Sequence, residues 1–525
     1  MKVQITKYLV RLLAASAALL GVNFALAQAT APDIQWDKSF GGTGYDYLNC
    51  LQQTSDGGYI LGGYSGSGMS GTKTSDSFGF SDYWVVKLDA NGVQQWDKSF
   101  GGSDYDVLQS LQQTSDGGYI LGGYSLSGAS GNKTNNANFG AADYWVVKLD
   151  ADGNRQWDQI YGGSGDDQLQ SLQQTSDDGY ILGGFSNSGV SGNKTNAGFG
   201  EMDYWVVKLG ASGTKQWDKS FGGSGDDRLN SLQQTTDGGY LLGGQSASGV
   251  SGNKTNAGFG SYDYWVVKLD ADGNKQWDKS FGGADYDDLF CLKKTSDGGC
   301  VLGGFSNSGV SGNKTNAGFG YVDYWVVKLD ASGSKQWDKT FGGSGQDGIF
   351  SLQQTSDGGY ILGGYSDSDV LSGNKTDAGY GAYDYWVVKL DANGSKQWDK
   401  SIGGSDYDEL HSLQQTSDGG YILGGQPFSG ASGNKTSGSF GGLDYWVVKL
   451  AGVALPPTLT ITLVNEIATL SWPTNTTGFT LQSALNLNPP VDWIDSSNAP
   501  VTVGTQFTVT NTPSGSSQFF RLKKP

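Results

Sequence analysis

Apolar positions along this chain come in short runs rather than helical stripes. In the first full copy of the pattern the runs are Leu48–Gln53, Tyr59–Ser65, Asp82–Leu88 and Gln94–Phe100, each bounded by Gly, Asp, Asn or Ser. Runs of this length between turn residues predict β-strands, and no segment keeps a helical period over ten residues. Alternation within the runs is incomplete. In Asp82–Leu88, Trp84, Val86 and Leu88 share one face while Tyr83 and Val85 share the other. A strand apolar on both faces needs a cover on both faces, which predicts sheets stacked against sheets. The first two runs are joined by Ser55-Asp56-Gly57, and the Asp-Gly pair predicts a tight hairpin with both central residues at positive φ. A second tight turn, Ala90-Asn91-Gly92, joins the last two.

The pattern then repeats. QWDKSFGG or a close variant places Trp36, Trp96, Trp157, Trp217, Trp277, Trp337 and Trp398 at steps of 60 or 61 residues. DYWVVKL begins at Asp82, Asp143, Asp203, Asp263, Asp323, Asp384 and Asp444. Stacked repeats of one supersecondary unit build either a solenoid or a propeller. The ends of the array discriminate: it opens on a lone QWDKSFGG and closes on a lone DYWVVKL, the two strands that form a hairpin inside every internal unit. Joined, they complete one more sheet, and a solenoid would instead want distinct polar caps. The expectation is an all-β, seven-bladed β-propeller over 33–451, latched by its terminal strands.

Composition adds the setting. Lys2, Lys7 and Arg11 precede an apolar stretch ending in Ala25-Leu26-Ala27, the form of a secretory signal peptide over 1–27. Beyond it no run reaches the length of a membrane span, so no membrane insertion is expected. The three basic residues of that leader belong to a total of 34 against 52 acidic, so residues 28–525 carry a net charge of −21. Such a balance argues against nucleic acid as a partner. Three cysteines are too few for a disulfide framework, and Cys50 and Cys291 stand where other repeats have Ser. A secreted, periplasmic or cell-surface monomer is expected.

After the linker 452–457 the repeat stops. Residues 458–525 hold short β-runs, and their ATLSWP…GFTLQS pattern resembles fibronectin type III-like sandwiches. Through SDGGYILGG, DYWVVKLDANG and WDKSFGG, the array resembles the sixty-residue propeller repeats of secreted bacterial proteins. That resemblance implies a propeller and an extracytoplasmic setting, and no single activity.

Candidate chemistry sits where loops and inner strands meet. The long loop that includes 186–203, polar and rich in Gly and Asn, is a candidate binding surface. Its Asn-Lys-Thr triplets match a glycosylation sequon, read here as a by-product of the repeat. Asp46, Asp106, Asp167, Asp227, Asp287, Asp347 and Asp408 recur just ahead of the innermost strand. They form either a carboxylate ring that takes weak Ca²⁺ or a set of caps on backbone N–H groups in a Gly-rich link. Asymmetric positions are more informative, because a specific ligand breaks the symmetry of a ring. One column reads Asn49, Gln109, Gln170, Asn230, Phe290, Phe350 and His411, a polar arc facing an aromatic one beside the single histidine. No Ser/Cys/His constellation or zinc-ligand cluster accompanies it, so no catalytic residue is assigned. The expected function is non-catalytic binding or scaffolding that recognises a glycan or cell-surface protein, with no cofactor beyond weak Ca²⁺. The alternative is an extracellular polysaccharide hydrolase or lyase with its pocket at the channel mouth.

Overall fold

The structure, a computed structural model, describes residues 3–6, 30–135, 138–368, 372–452, 459–464, 467–473, 479–486, 491–503, 506–511 and 517–523. It divides into two compact units, Gln28–Ala451 and a second made of 1–27 with Gly452–Pro525. The described residues contain strands and turns and no helix.

In the first unit, seven antiparallel four-stranded sheets follow one another along the chain. The first is made of Asp46–Gln53, Tyr59–Ser65, Asp82–Leu88 and Gln94–Phe100 in that order. Its first strand has counterparts at Asp106–Gln113, Asp167–Gln174, Asp227–Gln234, Asp287–Lys294, Asp347–Gln354 and Asp408–Gln415. These seven inner strands each touch their counterparts in the neighbouring sheets. The sheet of Asp408–Gln415 takes its outer strand from the start of the array: Ile34–Phe40 pairs with Tyr445–Leu450, from Ile34 opposite Leu450 to Phe40 opposite Tyr445.

Both faces of each sheet are dry, as the doubly apolar pattern requires. Trp84 and its six counterparts are fully buried, and each core cluster draws residues from two successive sheets. The tyrosine before each Trp crosses the seam. Tyr83 Oη donates to Trp145 O at 2.9 Å, and the series runs sheet by sheet to Tyr445, which donates to Trp84 O at 2.8 Å. Trp84 Nε1 donates to Asp97 Oδ2 at 3.0 Å, so the aspartate of QWDKSF anchors the tryptophan of DYWVVKL. That aspartate also accepts from Thr74 and Ser75 of the long loop.

Turn geometry differs from the sequence expectation in one respect. In Thr54–Gly58 only Gly57 has positive φ, at 83°. Gly57 N–H donates to Thr54 O and Asp56 Oδ1 accepts from Gly58 N–H at 2.9 Å. Asp56 therefore braces the turn with its side chain instead of entering the left-handed region. Its other oxygen pairs with the buried Lys87 Nζ at 2.8 Å.

The second unit holds two four-stranded sheets. One orders Val3–Thr6, Ser517–Lys523, Thr480–Ala484 and Ile494–Asp495; the other orders Thr460–Val464, Ile467–Pro473, Gln506–Asn511 and Val501–Val503. Leu470, Trp472, Leu481, Val509 and Phe520 form their shared core. Of the leader read at 1–27, only 3–6 is described, and the rest lies outside the described residues.

Candidate functional site

Each inner strand carries a register shift at one place: between Leu48 and Cys50, between Leu289 and Cys291, between Leu410 and Ser412, and likewise in the other four. The residue skipped by the ladder is Asn49, Gln109, Gln170, Asn230, Phe290, Phe350 or His411. The asymmetric column is therefore a column of β-bulges, which re-aim a side chain out of the pleat. All seven residues are half-buried.

The bulges bring some of these residues together. Asn49 Nδ2 donates to Leu108 O at 2.8 Å and to Gln109 Oε1 at 3.2 Å, and Asn230 Nδ2 donates to Leu289 O at 2.8 Å. Phe290 meets Phe350 edge-on at 5.1 Å, and Phe350 stacks on His411 at 4.8 Å with planes 8° apart. Gln170 stands in the same column without a partner among these seven.

Residues outside the bulge column extend the aromatic sector. Tyr365 lies 5.6 Å from Phe350, Tyr383 lies 4.8 Å from Tyr365, and Tyr407 lies 5.0 Å from Tyr383. His411 Nε2 is 3.0 Å from Gln426 Nε2 and 3.6 Å from Glu409 Oε2. The His411 contact is the main cause holding the Glu409 carboxyl below its ordinary value. A second charged group lies on the inner strand Asp227–Gln234. Arg228 Nε pairs with Asp226 Oδ2 at 2.9 Å, covers the Phe185 ring at 5.3 Å, and Tyr262 Oη donates to Asp226 at 3.0 Å. Burial pushes the nearby Asp288 up to about 6. The signal for these was present in the column one residue after each recurrent Asp: Tyr47, Val107, Gln168, Arg228, Asp288, Gly348 and Glu409.

The recurrent aspartates lie elsewhere. Asp46, Asp106, Asp167, Asp227, Asp287, Asp347 and Asp408 are fully buried. Asp46 Oδ2 accepts from Gly42 N–H at 2.8 Å and from Ser67 Oγ at 3.0 Å, and the other six accept from the same two positions of their repeats. Each faces a second buried aspartate across one glycine: a Cβ at Gly41 would collide with Asp444 and crowd Asp46, and a Cβ at Gly101 would do the same to Asp82 and Asp106. Oδ1 of all fourteen aspartates lacks a hydrogen-bond partner. Among the described residues no three His, Cys, Asp or Glu side chains are arranged to hold a metal ion. Calcium takes six to eight oxygens, about three to four times the two unbonded Oδ1 atoms that one such pair offers.

The repeated loop is tied down. Asn193 Oδ1 accepts from Gly162 N–H at 2.9 Å while its Nδ2 donates to Ile160 O at 2.8 Å, and Lys194 is buried with Nζ on Ser220 Oγ at 2.7 Å. Asn193 thus clamps the loop to the outer strand Arg155–Tyr161 of the preceding sheet, and Lys194 to the outer strand Lys215–Phe221 of its own.

No family model matches the chain, and no curated protein matches it. Solved structures similar to it include BBS1N in complex with ARL6DN, at 8% identity and TM-score 0.42, covering 81% of this chain and 98% of that one. A protein of unknown function from Dyadobacter fermentans DSM 18053 is similar at 12% identity and TM-score 0.41, covering 80% and 99%. Puromycin hydrolase is similar at 11% identity and TM-score 0.40, covering 82% of this chain and 58% of its own. None of these likenesses bears on the chemistry of the site.

Proposed function

We propose that this chain is a secreted bacterial seven-bladed β-propeller that binds glycan or cell-surface material at the mouth of its central channel, without catalysing a reaction on it. Closure of the ring is supported by the pairing of Ile34–Phe40 with Tyr445–Leu450 and by the tyrosine series that returns from Tyr445 to Trp84. The second unit is read as a fibronectin type III-like module that spaces the propeller from a surface.

One observation carries the binding reading. Tyr407, Tyr383, Tyr365, Phe350, Phe290 and His411 make an unbroken run of ring contacts, on three bulged inner strands and the segments next to them, beside amide and carboxylate side chains. Aromatic faces flanked by a few polar groups suit the apolar face and equatorial hydroxyls of a sugar. The enzymatic alternative, a polysaccharide hydrolase or lyase, rests on His411. Its ring nitrogen faces Gln426 and Glu409, neither a hydroxyl nor a thiol that it could activate as a nucleophile.

A glycan array probed with the full chain, followed by calorimetry on any hit, tests this reading. Phe350→Ala is expected to weaken a hit at least tenfold and leave the melting temperature nearly unchanged. Retention of no glycan at all, or full affinity in Phe350→Ala, would remove the assignment.

A further inference from the structure

Around the central opening the inner strands are stitched by side chains. Gln52 Oε1 accepts from Gln113 N–H at 2.7 Å, Gln112 from Gln174, Gln173 from Gln234, Gln233 from Lys294, Gln353 from Gln415, and Gln414 from Gln53. Two residues earlier on the strand a serine hydroxyl accepts in the same way, Ser351 from Leu413 N–H at 3.1 Å and Ser231 from Leu292 N–H at 3.1 Å. Both stitches fail together at one seam only, between Asp287–Lys294 and Asp347–Gln354. There Lys293 replaces the glutamine and Cys291 replaces the serine, so the backbone N–H groups of Gln354 and Leu352 have no acceptor among the described residues. An ammonium supplies no lone pair, and a thiol is a weak acceptor. A donor pair left without protein acceptors on the wall of an opening asks for an acceptor from outside.

Charge points the same way. Lys293 and Lys294 both line an opening of ≈ 450 Å³ whose other walls are Gln52, Gln233, Gln353 and Gln414. Neither lysine has an ion-pair partner among the described residues, although the chain carries 52 acidic residues against 34 basic ones. Lys87 and its counterparts, by contrast, each sit on an aspartate. A paired cation braces a turn; an unpaired one lining the same opening as two free N–H groups offers the donors of an oxyanion cradle.

We propose that this seam binds a small oxyanion, carboxylate, sulfate or phosphate, held by the Lys293 ammonium and the Gln354 and Leu352 N–H groups, with Lys294 at the rim. The site is separate from the aromatic mouth and does not depend on the glycan reading.

The test is calorimetric titration of the full chain with inorganic phosphate, sulfate and galacturonate in low-chloride buffer. Lys293→Gln reproduces the residue of the other six repeats and restores the acceptor for Gln354, so it should fold, which a thermal melt checks. Lys98→Gln removes the same charge from an outer strand. Saturable binding of at least one probe, weakened tenfold or more by Lys293→Gln and unchanged by Lys98→Gln, is the expected result. Preference for galacturonate would identify the source as an acidic sugar, and equal binding of all three a free inorganic anion. Absence of saturable binding for every probe, or equal affinity in Lys293→Gln, would overturn the proposal.

Discussion

The seams between sheets and the mouth of the central opening are built from the same seven repeats and obey opposite rules. At the seams and within the sheets behind them the residues recur nearly without change, because each makes bonds that its neighbours depend on: tyrosine to the tryptophan carbonyl of the next sheet and, inside each sheet, tryptophan to aspartate and lysine to the turn aspartate. At the mouth the bulge column runs through Asn, Gln, Phe and His, and every version leaves the strand intact. A position bonded on both sides constrains its identity, whereas a bulged side chain held on one side is free to specialise. Repetition marks what holds the sheets together, and departure from it marks where the sheets are free to differ.

The sharpest way to break this comparison is to truncate one residue of each kind. Trp205 is fully buried, its Nε1 donates to Asp218 Oδ2 at 3.1 Å, and its ring packs 4.6 Å from Tyr144. Trp205→Ala should destabilise the unit Gln28–Ala451 by ~3–5 kcal/mol, read by denaturant unfolding. His411→Ala at the mouth should change stability by less than about 1 kcal/mol, since its ring is half-buried and stacked on one face only. Equal losses for the two would erase the distinction.

Acid sharpens it further. Seven seam aspartates, Asp106, Asp143, Asp203, Asp263, Asp323, Asp408 and Asp444, are raised by burial from 3.8 to about 6. A carboxyl whose folded pKa exceeds its unfolded one binds more protons when folded, so stability falls as pH rises between ~4 and ~6. Turn aspartates such as Asp56 and Asp116 are lowered to about 2 and act in the opposite sense, losing their contribution as pH falls below ~4. The melting temperature should therefore peak near pH ~4–5 and decline toward neutrality. Asp143→Asn should flatten the decline at one seam. A melting temperature that climbs steadily from pH 5 to 8 would mean that the paired carboxylates are stabilised as anions.

Strand positions were legible in the sequence because two-faced apolar runs between glycine turns leave few alternatives, and the unpaired runs at each end implied their own partnership. The aromatic sector was half legible: Phe290, Phe350 and His411 stood out as departures from a repeat, and so did Tyr383 just ahead of its DYW motif, but Tyr365 sits on the neighbouring strand and joins them only through the sheet. Buried lysines could not be read. Lys194 in a Gly-Asn loop looks solvated, yet its ammonium lies under Trp205 at 4.9 Å and on Ser220. The change from Leu-Gln-Gln to Leu-Lys-Lys at 292–294 was visible, but its meaning was not, because it depends on N–H donors of the next strand that lose their acceptor.

The smallest effect concerns a seam turn that departs from its own rule. Six repeats place glycine at the left-handed turn position, with φ between 81° and 84° at Gly57, Gly117, Gly238, Gly298, Gly358 and Gly419. The third places Asp178 there, at φ 60°. A side chain in that region is strained, though aspartate tolerates it better than most. Asp178→Gly relieves the strain and at the same time loosens the unfolded chain, and these two effects oppose each other. Strain relief should prevail by a few tenths of a kcal/mol to ~1 kcal/mol, raising the unfolding midpoint slightly at unchanged m-value. If the variant is instead less stable, Asp178 contributes through the 3.3 Å hydrogen bond that Ser115 Oγ of the preceding repeat donates to its Oδ1. A departure from the repeat would then be serving the seam, a role the comparison reserves for residues that do not vary.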